Sequence, residues 1–149
     1  MASVESSIQI DAPPAQVFEL ARQVERFPEM MPNIVSVEVA ERDGDRTVTK
    51  WVASVPELGT KLRWTEEDIW DRHALTCSFH QIGGEYGKFE GEWRFEPKDE
   101  GTLFTFRLLV EYDAPLLGAF LKGLIAKKAK ENVEATLQGI KTAAEAAAH

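Results

Sequence analysis

Glu66 and Asp68 are the residues whose type and spacing point most directly to chemistry. They stand in a run, Lys61 to Asp71, that sets Leu62, Trp64, Glu66, Asp68 and Trp70 against Lys61, Arg63, Thr65, Glu67, Ile69 and Asp71. A period of two is the signature of a β-strand, so both acids share a side with both tryptophans and point inward unless a bulge shifts the register. An ionised carboxylate in an apolar interior costs on the order of several kcal/mol unless it is paired, so each acid must find a cation, hold water or keep its proton. Two readings follow. Paired with Lys128 or Lys50, or set near a wet cavity mouth, the acids hold the structure. With a raised pKa, one of them hydrogen-bonds a ligand carbonyl or hydroxyl, or works as a general acid or base.

The same face is expected to carry Trp64, Trp70, Trp93, Phe79, Phe89, Phe95, Phe104 and Phe106. Large aromatics fill a core well, and packing alone accounts for them. The mixture with inward polar groups argues instead for a ligand cavity, which is mostly apolar with a few placed polar groups. That cavity is expected beneath Trp64, Trp93 and Phe106. Candidate ligand-binding residues are Phe27, Met31, Trp64, Trp70, Phe79, Trp93, Phe106, Phe120, Leu124, Lys128 and Asn132, with Glu66 and Asp68 as candidate catalytic groups.

Other chemistries find no support. His73, His80 and His149 have no metal-ligand spacing, so neither a metal nor another cofactor is expected. Gly83-Gly84 lies in a hairpin rather than before a phosphate-binding helix. Cys77, the single cysteine, excludes an internal disulfide and reads as a buried, inert thiol.

The elements that must position these residues follow from local signals. Residues 4–10 form a first strand, and Asp11 with Pro13 and Pro14 opens a helix whose face carries Val17, Ala21 and Val24. FPEMMP, residues 27–32, ends it and leaves room for a short turn. From Ile34 the period is two, with Val35, Val37 and Val39 on one side. Strands are then expected over 34–42, 47–55, 61–71, 74–81, 86–96 and 102–112, separated by turns rich in Gly, Asp and Pro. After Pro115 a proline-free segment rich in Ala, Leu, Lys and Glu predicts one helix to about residue 147. Its core stripe is Ile125, Ala129, Asn132, Val133, Thr136 and Ile140, while Leu116, Leu117, Phe120 and Leu124 widen the apolar arc at its start.

Composition bounds what such a domain could do. At 149 residues the chain is one domain, residues 1–149, and 44% hydrophobic against 28% charged residues suits a soluble globular fold. Seventeen Lys and Arg against twenty-five Asp and Glu give a net charge of -8, a poor match for nucleic acid. The N-terminus lacks the features of a signal peptide and no apolar run is long enough for a transmembrane segment, so a cytoplasmic location is expected, with any membrane contact transient.

The element order, FPEMMP after the first helix, the Trp64 strand, EGEWRFEP over 90–97 and KENVEATL over 130–137 together resemble the START-like (SRPBCC) superfamily, in its polyketide cyclase/dehydrase and COQ10-type coenzyme Q-binding branch. The resemblance implies an α+β helix-grip fold: a curved seven-stranded antiparallel sheet around a long C-terminal helix, with one or two short helices after the first strand and a cavity between sheet and helix. It also implies that Trp64, Trp93 and Asn132 shape the pocket. The Arg and Tyr implicated in chemistry in aromatase and cyclase members fall at Asp68 and Ile34 here, so both groups are missing. Three functions stay open: binding or transfer of a small hydrophobic ligand such as a lipid, quinone or polyketide-like aromatic; a cyclase or dehydratase using Glu66 or Asp68; and a ribosome- or protein-interacting module of the toxin-like branch.

Overall fold

The computed structural model of the protein describes residues 2–111 and 118–148, with the backbone alone for Leu58 and residues 118–122. Strand β1 (Ala2–Ile10) leads into α1 (Pro14–Ala21), which starts with Pro at its first position, and through a 3-10 turn (Val24–Arg26) into the single-turn α2 (Phe27–Met30). Six strands follow: β2 (Ile34–Asp43), β3 (Arg46–Val55), β4 (Thr60–Asp71), β5 (Thr76–Gly84), β6 (Lys88–Lys98) and β7 (Gly101–Glu111). Helix α3 (Gly118–Ala148) closes the chain. Among the described residues, no helix is long and apolar enough to cross a membrane.

The seven strands form one antiparallel sheet in the order β1-β7-β6-β5-β4-β3-β2, as expected of hairpin-linked strands, with the first strand returning to the edge beside the last. Helix α3 lies against β1, β7 and α1, and α1 packs over β6 and β7. The buried stripe of α3 is Ile125, Ala129, Val133, Thr136, Leu137, Ile140 and Ala144. Asn132 sits beside it, half-buried.

Two local expectations need correction. Val35 does not share a face with Val37: the β2–β3 register shifts between Ile34 and Ser36, which leaves Val35 43% exposed while Ile34 and Val37 are buried. A bulge of this kind inserts one residue and reverses the alternation before it. Strands β5 and β6 also begin two residues later than their sequence pattern suggests, since Leu75 takes a left-handed backbone and the Glu85–Gly87 connection is not strand. Tyr112, Leu116 and Leu117 lie outside the described residues, and the side chain of Phe120 does too.

Helix α3 crosses α2 so closely that a glycine is required at the contact. A Cβ on Gly139 would stand 2.8 Å from the Met30 carbonyl oxygen and 3.2 Å from Met31 Cγ. Alanine in place of glycine favours a helix by about 1 kcal/mol, while overpacking against an atom that cannot turn aside costs about 1–3 kcal/mol. Gly139→Ala is therefore expected to lower the melting temperature in spite of its helix propensity. A rise on thermal denaturation would show that α3 can slide away from α2 at no cost.

Candidate functional site

Strand β4 buries Leu62, Trp64, Glu66, Asp68 and Trp70 in strict alternation, as its sequence predicts, and Glu66 and Asp68 are only 4% and 3% exposed. Closing the Pro56–Gly59 turn sets Trp51, Thr49 and Thr47 of β3 opposite Trp64, Glu66 and Asp68. Those cross-strand neighbours supply what the acids need. Thr49 and Thr47 place their Oγ1 atoms 2.8 and 3.0 Å from Asp68 Oδ2. The Trp51 indole N–H donates to Thr49 Oγ1 at 2.8 Å, and that of Trp70 donates to Thr47 Oγ1 at 3.3 Å. Trp64 donates to Glu66 Oε1 at 2.8 Å.

The direction of this network is forced. An indole N–H can only donate, so each threonine oxygen is an acceptor towards its tryptophan and spends its own hydrogen on Asp68. Two O–H groups thus converge on Asp68 Oδ2, an arrangement that favours leaving that oxygen without a proton. Glu66 and Asp68 also hydrogen-bond each other. The proton between them then belongs to Glu66, whose carboxyl donates to Asp68 while its Oε1 accepts from Trp64. Burial, followed by the charge of Asp68, holds Glu66 well above the usual carboxylate range. Burial raises Asp68 as well, opposed by the hydrogen bonds from Glu66, Thr49 and Thr47.

Neither lysine offered by the sequence neutralises these acids. Lys128 ion-pairs with Glu57 and stands 2.9 Å from Glu131, and Lys50 is exposed on the outer face. Among the described residues no Lys or Arg forms an ion pair with Glu66 or Asp68. Lys128 sits on α3 at the rim and Lys50 has the opposite parity to Thr49 on β3, so neither stem reaches the inner face behind Trp64. The charge is reduced by proton sharing instead. Thr47, Thr49 and Trp51 are functional-site residues that sequence reasoning passed over, although the four-residue turn at Pro56–Gly59 already sets them opposite the acids.

A cavity of about 330 Å³ opens between the sheet and the first half of α3. Its floor is Leu62, Trp64, Phe89, Leu108 and Val110, its roof Ile125, Ala129, Asn132 and Ala135, and its rim holds Glu57, Lys128 and Glu131. Trp64 stacks on Trp51 at a ring separation of 5.8 Å and meets Tyr86 and Phe89 edge-on or tilted, which fixes the floor. Asn33 donates from Nδ2 to Asn132 Oδ1 at 2.9 Å and ties the start of β2 to the roof.

Deeper in, the packing tightens. Phe27, Phe79, Trp93, Phe106 and Glu66 enclose a separate void of only about 20 Å³, with room for about one water. The expected cavity therefore lies under Trp64 but does not extend beneath Trp93 and Phe106, where ring contacts of Trp93 with Phe27, Phe79, Phe104 and Phe106 fill the space. Of the other sequence candidates, Lys128 and Asn132 line the large cavity. Trp70 and Met31 belong to the core away from both spaces, and Leu124 packs half-buried at the core's edge. Cys77 is buried, and burial pushes its thiol up, out of the range of a nucleophile.

The proton assignment separates the two acids in a stability measurement. Glu66→Gln retains a donor for Asp68 and an acceptor for Trp64, and is expected to be neutral or stabilising at pH 7. Asp68→Asn replaces one of the two accepting oxygens by an amide NH2 that only donates, so either the threonines or the Glu66 proton lose their acceptor, at an expected cost of about 1–3 kcal/mol. Because the folded pKa values are raised, their stabilising contribution is complete below about pH 4 and is lost as pH climbs through the folded values. Urea denaturation from about pH 5 to 9 should show wild-type stability declining and Glu66→Gln flattening that decline. Equal losses for the two variants at pH 7 would place the proton elsewhere.

Comparison with known proteins agrees with this architecture. A family model described as polyketide cyclase / dehydrase and lipid transport matches residues 1–145. A Streptomyces halstedii protein named as a candidate polyketide cyclase is 30% identical over 103 residues, covering 68% of this chain and 94% of that protein. The crystal structure of TTHA0849 from Thermus thermophilus superimposes with a TM-score of 0.92 at 36% identity, covering 99% of each chain. A START superfamily protein from Mycobacterium smegmatis shares the fold at a TM-score of 0.80 and 17% identity, again over 99% of each chain.

Proposed function

The chain belongs to the polyketide cyclase/dehydrase and lipid transport family, and from that premise we propose that it binds a small hydrophobic ligand between its sheet and C-terminal helix, holding or transferring it without chemical change. The observation that carries this reading is the cavity of about 330 Å³, mostly apolar on floor and roof, with its polar groups at the rim, at the Asn33–Asn132 pair and on Ser54 and Tyr86. Ligand sites commonly span roughly 300–1,000 Å³, so this one suits a compact molecule of about one to three rings, such as a quinone headgroup or a polyketide-like aromatic, better than a two-chain lipid. Burial of the ligand's apolar surface drives binding, at roughly 25 cal/mol per Å² before ordering costs. The salt-bridged rim of Glu57, Lys128 and Glu131 stays in water and marks the way in.

A second reading, catalysis of a cyclase or dehydratase step, is favoured by one observation: Glu66 holds a proton close beneath the cavity floor. Against it stands the state of that carboxyl, which already accepts from Trp64 and donates to Asp68. To protonate a ligand it would have to give up a bond to a buried anion. Turnover of a polyketide-type substrate that Glu66→Gln abolishes without weakening binding would favour the enzyme.

The binding reading is tested by titrating N-phenyl-1-naphthylamine while following tryptophan fluorescence. Quenching is expected, and Trp64→Phe should reduce it while the fold is kept. Ala135→Phe, which fills the roof from a half-buried helix position, should weaken binding by about tenfold or more, equivalent to about 1.4 kcal/mol. Unchanged affinity in Ala135→Phe together with an unchanged quench in Trp64→Phe would place the dye outside this cavity and overturn the reading.

A further inference from the structure

The void of about 20 Å³ and the larger cavity share Trp64, Phe89 and Asn132 as walls, so a substituent on a ring in the cavity needs to pass only these side chains to reach it. The polar groups around the void are in unequal states. Trp64 donates to Glu66, Trp51 donates to Thr49, Thr136 donates to the Asn132 carbonyl oxygen, and Asn132 Oδ1 accepts from Asn33. Trp93 differs. It is 5% exposed, its ring borders the void, and among the described residues no atom accepts its Nε1 hydrogen.

A buried donor with no acceptor is costly, and native interiors leave very few. The edge-on and tilted ring contacts around Trp93 would be served equally well by phenylalanine, so ring packing alone does not account for an indole at this position. Glu66 supplies the complementary group on the same void. Its carboxyl oxygens have more lone pairs than the Trp64 bond uses, so it can accept one hydrogen bond more. One unspent donor and one spare acceptor, on side chains that both line a space the size of a single oxygen, describe the partner: a group that both accepts and donates.

We propose that this void is the oxygen subsite of the ligand cavity, and that it selects an apolar ligand bearing a hydroxyl, phenolic or alcoholic, which accepts from Trp93 Nε1 and donates to Glu66. The inference rests on the cavity being the ligand site. A methyl group at the same place leaves Trp93 unsatisfied, and a carbonyl oxygen satisfies Trp93 but meets the lone pairs of Glu66. The hydroxyl alone completes both.

The test compares 2-naphthol with 2-methylnaphthalene, which differ in the one group that would enter the void. Isothermal titration calorimetry on the full chain should find that Trp93→Phe weakens 2-naphthol by about tenfold and 2-methylnaphthalene by less than about twofold. On the wild-type protein, the Trp93 indole resonance in a 15N correlation spectrum should move with 2-naphthol and stay in place with 2-methylnaphthalene. This second measurement needs no substitution, so it holds even if Trp93→Phe folds poorly. Equal weakening of both ligands, or an unmoved Trp93 resonance with 2-naphthol bound, overturns the subsite and leaves the cavity intact. Failure of the wild type to bind either compound overturns the cavity reading and the subsite with it.

Discussion

One shared proton organises the interior of this protein. Two carboxyl groups on the inner side of a single strand cannot both ionise a few ångströms apart in an apolar core, and among the described residues no cation pairs with them. Keeping the proton on Glu66 leaves a single buried charge on Asp68, and three hydrogen bonds then converge on that charge from Glu66, Thr47 and Thr49. Charge-assisted bonds of this kind are about twice as strong as neutral ones, which is what makes the arrangement tolerable without a counter-ion. The constraint spreads outward. Each threonine donates inward while a tryptophan satisfies its oxygen from behind, which ties Trp51, Trp70, Thr47 and Thr49 into one network.

The same constraint shapes the cavity. Trp64 is held at its Nε1 by Glu66 and across its face by Trp51, so the orientation of its ring at the cavity floor is set from two sides. Gly84 lies against it on the neighbouring strand, where a Cβ would come within 2.6 Å of the Trp64 Cα, so that strand closes tightly at the cavity's side. The space above Trp64 stays open because the helix turns Ala129 and Ala135 towards it. Below Trp64 larger rings take over, and the free volume falls from about 330 to about 20 Å³.

Much of this was legible in the sequence, for identifiable reasons. The β4 alternation is a local signal that nothing in the fold opposes, so the inward placement of Glu66 and Asp68 follows from it directly. The partners of the acids are a pairing property. Lys128 and Lys50 suit the acids by charge, but it is the register of β3 against β4 across the Pro56–Gly59 turn that sets Thr47 and Thr49 opposite them. The bulge at Val35 has no comparable local mark, because valine suits either face of a strand. The extent of the cavity is a property of packing between distant elements: Phe27 of α2 fills space under Trp51 and Trp93, and no periodicity within either strand encodes that contact.

The acids also bear on which chemistry the fold can perform here. The resemblance to aromatase and cyclase members implies an arginine at the position of Asp68, a permanent cation suited to stabilising an enolate or phenolate as negative charge develops. Asp68 reverses that sign. An oxyanion forming in the cavity would meet a buried carboxylate behind Glu66, and its repulsion would raise the barrier rather than lower it. A neutral hydroxyl meets no such penalty, since it carries no net charge and can satisfy a donor and an acceptor together. On the proposed reading, the buried carboxylate pair suits an uncharged, oxygen-bearing aromatic better than a developing oxyanion.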